Sequence, residues 1–221
     1  MIVAIDGTAG SGKSTVAKIL AERLGFECLD SGAMYRAFTW KVINEGIDFD
    51  DKEGIRELLN KTDIRMEHSD DGVRIFVNDT NVTNDIRHPS ITKNAHHVSG
   101  MDFVRKKMVE LQRAFARGKN IIAEGRDMST VVFPDADKKI YLDADIKERA
   151  VRRHSELKDI HDKNGLSQVI EDIKQRDHRD STRELAPLKR TADAYYLDTT
   201  NLNIEDVVEN LINEIKKQPG K

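Results

Sequence analysis

Residues 7–14, GTAGSGKS, fit the pattern G-x-x-x-x-G-K-[ST] at every position. In loops of this kind the glycines let the backbone turn so that its N–H groups face a polyphosphate. Lys13, which we expect to be exposed in the loop, can reach the β- and γ-phosphates, and the Ser14 hydroxyl can ligate Mg²⁺. The predicted ligands of a nucleoside triphosphate are Gly7, Thr8, Ala9, Gly10, Ser11, Gly12, Lys13, Ser14 and Thr15.

The segments on either side of this loop are those that a phosphate-binding loop requires. The apolar run 2–5 is typical of a strand that is buried on both faces. Apolar residues after the loop recur at helical spacing, and Gly25 is a natural end for that helix. A helix that begins at the loop directs its positive N-terminus at the anion. We therefore prefer a phosphate-binding loop to a glycine-rich turn that matches by chance.

The composition is that of a globular protein without a strongly basic surface. A chain of 221 residues can form one core with room for an inserted subdomain. The net charge is −3 with both signs mixed, whereas a nucleic-acid binder more often has a basic excess. No apolar run is long enough to span a membrane, and the seven histidines have no spacing that indicates zinc. We expect a monomer without nucleic-acid or membrane partners.

The single cysteine and the first residues both indicate a cytoplasmic location. Cys28 cannot form an intramolecular disulfide, and its apolar surroundings in the sequence predict a core residue rather than a catalytic one. Met1 leads directly into the first predicted strand, so we expect no signal or transit peptide.

Five short apolar segments alternate with helical patterns along the chain. They are residues 2–5, 26–29, 121–123, 139–142 and 195–197. This alternation predicts an α/β fold with a five-stranded parallel sheet that is covered by helices on both faces. Ligands of such sheets bind beyond the carboxyl ends of the strands, which is where Gly7, Asp30 and Glu124 fall.

A different pattern interrupts this alternation. Apolar and polar residues alternate with a period of two over 63–68 and again over 73–77, with the turn sequence SDDG between them. This pattern predicts an antiparallel hairpin, and we expect Val82 to open a third strand. We interpret residues 62–86 as an insertion outside the central sheet.

Residues 146–190 are rich in arginine, with Asp177 and Asp180 interleaved. The arginines are Arg149, Arg152, Arg153, Arg176, Arg179, Arg183 and Arg190. Solvated helix surfaces are the usual explanation of such charges. Beside a phosphate-binding loop they also suggest phosphoryl transfer, because an arginine on the transferred group can be worth about 10³–10⁵ in rate.

Three further motifs, joined to the loop, resemble those of bacterial cytidylate kinases. They are DSGAMYR at 30–36, EGRDM at 124–128 and RDHRDSTR at 176–183, and the resemblance runs over essentially the whole chain. It implies the nucleoside monophosphate kinase variant of the P-loop fold, with a small β-containing insert that binds the monophosphate and a helical lid. It also implies transfer of the ATP γ-phosphate to CMP or dCMP.

The resemblance assigns roles to individual residues. It implies acceptor binding by Ser31, Tyr35, Arg36, Arg105, Arg126 and Asp127, and closure over ribose and phosphates by Arg176, Asp180 and Arg183. The predicted catalytic set is Lys13, Arg126, Arg176, Arg179 and Arg183, and Mg²⁺ is held by Ser14 and, through water, by Glu124. Where family members carry a serine that contacts the base, the nearest positions here are His96 and His97.

We expect a single kinase domain with three functional parts. The core is predicted at about 1–36, 100–145 and 190–217, the insert at 37–99 and the lid at 146–189. The polar stretch 158–167, with Gly165, suits a mobile segment of the lid.

Two other functions fit the loop alone. One is a different P-loop kinase that acts on UMP or another nucleotide, a sugar or a shikimate-like acid; the many arginines favour a phosphorylated acceptor over the last two. The other is a nucleotide-dependent switch, against which the intact Lys13 and Ser14 argue.

Overall fold

The computed structural model describes residues 1–69, 72–158 and 165–217. The strands are β1 (Ile2–Gly7), β2 (Glu27–Asp30), β3 (Ile64–Ser69), β4 (Gly72–Val77), β5 (Thr80–Asn81), β6 (Ile121–Glu124), β7 (Lys138–Asp143) and β8 (Tyr195–Asp198). The helices are α1 (Lys13–Leu24), α2 (Ser31–Asn44), α3 (Lys52–Asn60), α4 (Pro89–Ser99), α5 (Asp102–Ala116), α6 (Ile146–Lys158), α7 (Leu166–Thr182) and α8 (Ile204–Lys216), with a 3₁₀ turn at Asp85–Arg87 and a π-helical turn at Met128–Val132.

The chain divides into two compact units. The first consists of Met1–Leu29 and Gly118–Lys221, and the second of Asp30–Arg117. The predicted insert, 37–99, lies within the second unit, which also contains α5. The functional division into core, insert and lid stays a prediction, and most of the predicted mobile segment, 158–167, lies outside the described residues.

The first unit is built on a five-stranded parallel sheet in the order β2-β6-β1-β7-β8. In the central strand β1, Ile5 is in register with Glu124 of β6 and Ile140 of β7. Val3, Ala4 and Ile5 are fully buried, as expected of a strand covered on both faces. The predicted α/β fold is therefore confirmed, and all five strands are present where the apolar runs indicated them.

Polar residues lie at the edge of the parallel sheet that is formed by the carboxyl ends of its strands. β1 ends at Gly7, β6 at Glu124 and β7 at Asp143, and parallel strands end at the same edge of their sheet. Helix α1 begins just beyond this edge at Lys13 and ends at Gly25, whose φ of 66° permits the left-handed cap that closes the helix. The loop of residues 8–12 thus connects a buried strand to a helix with one buried face.

The second unit combines helices with a separate antiparallel sheet in the order β3-β4-β5. Ile64 pairs with Val77 and Met66 with Ile75, which confirms the predicted hairpin; turn residues 70 and 71 lie outside the described part of the chain. The prediction that Val82 opens a third strand is wrong, because that strand is Thr80–Asn81. Asn78, in the left-handed region at φ 52°, turns the chain earlier than the apolar pattern indicated.

No helix in the described ranges is long and apolar enough to cross a membrane.

Candidate active site

The loop after β1 has a backbone that requires glycine at two positions. Gly7 has a φ of 152°, and a Cβ placed on it would lie 2.0 Å from the carbonyl oxygen of Leu142. Gly10 has a φ of 76°, and its Cβ would lie 2.9 Å from the carbonyl oxygen of Arg149. Both positions combine a left-handed conformation with a close backbone neighbour, so a side chain at either one would displace the loop.

Lys13 is the first residue of α1 and lies under this loop. Its Nζ donates to the carbonyl oxygen of Thr8 at 2.6 Å and to Oγ of Ser11 at 3.3 Å. The residue is 4% exposed, so the expectation of an exposed loop lysine is wrong: its stem continues the buried face of the helix. Burial and the positive charge of Arg126 lower the pKa of Lys13 from an ordinary 10.5 to about 7.

Ser14 and Glu124, the predicted metal ligands, lie together. Oγ of Ser14 donates to Oε1 of Glu124 at 2.6 Å, which joins the first turn of α1 to the end of β6. Thr8 is anchored in a similar way, because its Oγ1 donates to Oδ1 of Asp143 at 2.7 Å. Gly12 precedes α1, and Thr15 is exposed in its first turn.

Asp180 of α7 contacts arginines from two segments of the first unit. Arg126 donates through Nε to Oδ2 of Asp180 at 2.8 Å, and Nε of Arg176 lies 3.9 Å from the same oxygen. Burial raises the pKa of Asp180, but the positive charges around it, led by Arg126, outweigh burial and hold this pKa below its ordinary value. Burial lowers the pKa of Arg126, and the charge of Asp180 reverses that shift so that the net change is upward.

Arg183 and Asp127 form a second pair in the same unit. Nη2 of Arg183 lies 3.9 Å from Oδ1 of Asp127, which is 4% exposed. Nε of Arg183 donates to the carbonyl oxygen of Ala186 at 2.7 Å, and Ala186 adopts a left-handed φ of 48°. Arg179 is exposed on α7 and forms no ion pair with the described residues, so its catalytic role stays a prediction.

In the second unit, Asp30 organises the start of α2. Its Oδ1 accepts from the backbone N–H of Ala33 at 2.8 Å, and its Oδ2 accepts from Nη2 of Arg36 at 3.1 Å. Ser31 is the first residue of the helix and is 4% exposed. The cap that begins the helix therefore also orients Arg36.

Arg105 and Tyr35 lie together in the same unit. The guanidinium carbon of Arg105 is 5.7 Å from the centroid of the Tyr35 ring, and Nη1 of Arg105 donates to the carbonyl oxygen of Ser99 at 3.1 Å. Arg105 is 5% exposed, so it is not the solvated helix residue that its sequence alone permits. His97 stacks on Phe49 with ring centroids 4.7 Å apart, and His96 lies 4.1 Å from His97.

Comparison with known proteins shows the family of this chain. A sequence model of the cytidylate kinase family matches residues 3–217. The chain belongs to the cytidylate kinase family. It is 44% identical to the cytidylate kinase of Carboxydothermus hydrogenoformans over 218 residues, which cover 99% of this chain and 98% of that protein. It is 46% identical to the cytidylate kinase of Caldanaerobacter subterraneus subsp. tengcongensis over 215 residues, which cover 97% and 94% of the two chains.

A solved structure is similar to this chain in fold. The crystal structure of an uncharacterized protein from Eubacterium ventriosum ATCC 27560 is similar with a TM-score of 0.54 over 99% of both chains, at 12% identity. The predictions of a nucleoside monophosphate kinase fold and of a cytidylate kinase are therefore confirmed. Cytidylate kinases are enzymes, so family membership removes the support for a switch without turnover.

Some structural roles in the candidate site were missed by sequence reasoning. Asp6 is fully buried and accepts from the backbone N–H groups of Met128 and Ser129, each at 2.8 Å, which fixes the segment that follows Arg126 and Asp127. Burial raises the pKa of Asp6, and these hydrogen bonds oppose the rise. The available signal was an acidic residue directly after a buried apolar run, at the point where the loop begins.

Proposed function

We propose that this chain transfers the γ-phosphate of ATP to CMP or dCMP and releases ADP with CDP or dCDP. One observation supports this most directly: Arg126 and Arg176 converge on Asp180 close enough to Lys13 to lower its pKa. Positive groups from the start of α1, from the segment after β6 and from α7 thus lie in one part of the first unit. Such a concentration of positive charge suits a reaction in which two phosphate groups must approach each other.

The proposed donor site is the loop 7–15. Loop N–H groups other than that of Ala9, which donates to Asp177, and the N-terminus of α1 bind the triphosphate, and Lys13 exchanges its contact with the Thr8 carbonyl for the β- and γ-phosphates. Mg²⁺ fits beside this loop, because the hydroxyl of Ser14 and the carboxylate of Glu124 present adjacent oxygens. No group of three or more histidine, cysteine or acidic side chains that could hold a metal occurs among the described residues. We therefore propose that Mg²⁺ takes its other ligands from phosphates and water. When bound, the ion would offset negative charge on the phosphates.

The proposed transfer needs no covalent enzyme intermediate. An oxygen of the acceptor phosphate forms the new bond to the γ-phosphorus while the bond from that phosphorus to the ADP oxygen breaks. The chain contributes alignment and charge neutralisation. Arg126, Arg176 and Arg183 are suited to this task because one guanidinium group can donate two parallel hydrogen bonds to two oxygens of a phosphate.

Each unit, taken by itself, contains residues that are proposed as acceptor ligands. In the first unit they are Arg126, Asp127, Arg176, Asp180 and Arg183; Asp180 pairs with Arg126 and Arg176, and Asp127 pairs with Arg183. In the second unit they are Ser31, Tyr35, Arg36 and Arg105, and the last three are held by a capping carboxylate or a ring contact. We propose that His96 or His97, both in the last turn of α4, takes the place of the serine that contacts the base in relatives.

A coupled ADP-release assay across CMP, dCMP, UMP, AMP and GMP tests this function. CMP and dCMP are expected to give the highest kcat/KM, with little ATP turnover in the absence of an acceptor. A higher kcat/KM with another nucleotide would reassign the substrate, and failure with all five would contradict the function.

Replacing Asp127 with asparagine is expected to narrow the discrimination between CMP and UMP. The buried carboxylate can accept a hydrogen bond from the cytosine amine, whereas uracil presents a carbonyl oxygen at that position. Unpaired buried groups cost about 1–3 kcal/mol each, so discrimination on the order of 10²-fold is expected for the unmodified protein. Asparagine can donate to the uracil carbonyl. The CMP:UMP ratio should nevertheless narrow mainly because kcat/KM for CMP falls.

The measured quantity is the CMP:UMP ratio of kcat/KM. Asp135→Asn, at an exposed position in the same connection, is the matched control and should leave the ratio unchanged. An unchanged ratio in Asp127→Asn would remove Asp127 as the base-reading residue and point to His96 or His97.

Removing residues 62–86 with a short linker is expected to abolish CMP affinity but to spare ATP binding. The hairpin forms its own sheet, so the parallel sheet of the first unit loses no strand. Ile64, Ile75 and Val77 are buried, so the second unit should lose stability. Binding titrations with each nucleotide and a thermal melt measure this outcome. Loss of ATP binding together with global unfolding would show that the hairpin is needed by the whole chain.

A further inference from the structure

The backbone N–H and the carbonyl oxygen of Ala9, in the middle of the phosphate-binding loop, each form a hydrogen bond with a charged side chain. The N–H of Ala9 donates to Oδ1 of Asp177 at 2.9 Å. The carbonyl oxygen of Ala9 accepts from Nη1 of Arg149 at 2.9 Å. Arg149 lies on α6 and Asp177 on α7, and the two side chains also form an ion pair with each other. The result is a closed ring of hydrogen bonds around one loop residue.

The surroundings of this ring restrict its movement. The Arg149 side chain is 9% exposed and that of Asp177 20%, and Nε of Arg149 donates to the carbonyl oxygen of Ala144 at 2.8 Å. Ala9 also packs in an apolar cluster with Ala150 of α6 and with Val169 and Ile173 of α7. The loop is therefore attached to these two helices by polar and apolar contacts together.

We propose that Arg149 and Asp177 are positioning residues that fix the phosphate-binding loop through Ala9. The proposal rests on the proposed function only in taking this loop as the ATP site. Phosphate binding requires loop N–H groups that already face the anion, and the ring fixes the peptide groups on both sides of Ala9. ATP affinity then depends on how α6 and α7 pack, although neither side chain needs to contact ATP.

A purely structural role makes a different prediction. If Arg149 and Asp177 only join α6 to α7, their loss lowers the melting temperature and leaves the affinity of the folded protein for ATP unchanged. The two roles are separated by measurements made on the folded protein without an acceptor.

The test compares Asp177→Ala, Asp177→Asn and Arg149→Lys with the control Asp172→Ala. Asp172 is an exposed carboxylate on the same helix, where it accepts from the Gln168 side chain. Asp177→Ala is expected to raise the Kd for ATP about tenfold or more, since it removes hydrogen bonds to a charged group. It should also speed amide hydrogen exchange in residues 8–13 while leaving β1 and β6 protected. Asp172→Ala should change neither quantity.

The conservative variants make the test specific. Asp177→Asn keeps an oxygen that can accept from the Ala9 N–H, and Arg149→Lys keeps one charged donor, so both should show smaller increases in Kd than Asp177→Ala. Arg149→Ala and Asp177→Ala combined should raise Kd by less than the product of the single effects, because the pair acts as one unit. The KM for CMP should stay within about twofold of the unmodified protein, well below the tenfold step expected for ATP.

Several results would overturn the proposal. Unchanged ATP affinity and exchange in Asp177→Ala, with a lower melting temperature, would leave only the structural role. If Asp177→Ala does not fold, Arg149→Ala takes its place, and unchanged ATP affinity and exchange in that variant would leave only the structural role. ATP binding and exchange need no acceptor, so a chain that binds ATP but fails to phosphorylate CMP would contradict the proposed function and still test the positioning pair.

Discussion

Replacing Lys13 with methionine is expected to abolish phosphoryl transfer and to leave the fold intact. The Nζ of Lys13 is the positive group nearest the loop backbone, at 2.6 Å from the Thr8 carbonyl oxygen. Removing one charge-stabilising donor from a preorganised site typically costs about 10²–10³ in kcat. Methionine has a similar length and fills the same buried space without the charge.

Although Lys13→Met should lose activity, we expect it to lose no stability. Burial lowers the pKa of Lys13 to about 7, so carrying the charge there costs free energy. Replacing a buried charge by an apolar group of similar volume is often neutral or stabilising. The Thr8 carbonyl oxygen still accepts from Oγ of Ser11 at 3.0 Å. We therefore expect a melting temperature no lower than that of the unmodified protein.

ADP release and a thermal melt together check this prediction. Lys18→Met, at an exposed position on the same helix, is the control and should keep its activity. If Lys13→Met retains more than about a tenth of the activity, a barrier change under roughly 1.4 kcal/mol, the interpretation of the loop is wrong.

Replacing Arg183 with alanine is expected to lower kcat far more than it alters ATP affinity. The guanidinium is only 18% exposed and lies 3.9 Å from Asp127, where its position is held by the Ala186 carbonyl. A contact that is strongest in the transition state affects kcat, and an arginine on the transferred group can be worth about 10³–10⁵. We expect a loss of about 10³ in kcat by this comparison.

Steady-state kinetics with both substrates, together with an ATP titration, separate the two effects. Arg190→Ala removes the same charge from an exposed position a few residues further along the chain and should change kcat little. An unchanged kcat in Arg183→Ala, with KM raised equally for both substrates, would show a passive charged surface instead.

The sequence by itself determined the elements that depend on neighbours along the chain. Residues 2–5 and 121–123 are apolar at every position, and such runs form strands only where helices cover both faces. Gly25 marks a helix end through its own backbone preference, and it does so in the structure. The glycine positions of the loop are predictable for the same reason, because the required turn is a local property.

Part of the candidate site was also predictable from local motifs. Ser14 and Glu124 are 110 residues apart, yet each lies at the carboxyl end of a strand or just beyond it, and parallel strands end together. The proximity of Arg126 and Asp180 was also predictable, because the resemblance assigned both residues to acceptor binding or closure.

Only the tertiary structure decided which polar group contacts which. An arginine-rich stretch of sequence does not show that Arg149 turns to the loop backbone while Arg179 stays exposed, because helical spacing sets the direction of a side chain but not what lies there. Burial lowers the pKa of Lys13, and Arg126 and Arg176, which are distant from Lys13 in the sequence, lower it further. Desolvation is a property of the packed site, and the order of residues along the chain carries no measure of it.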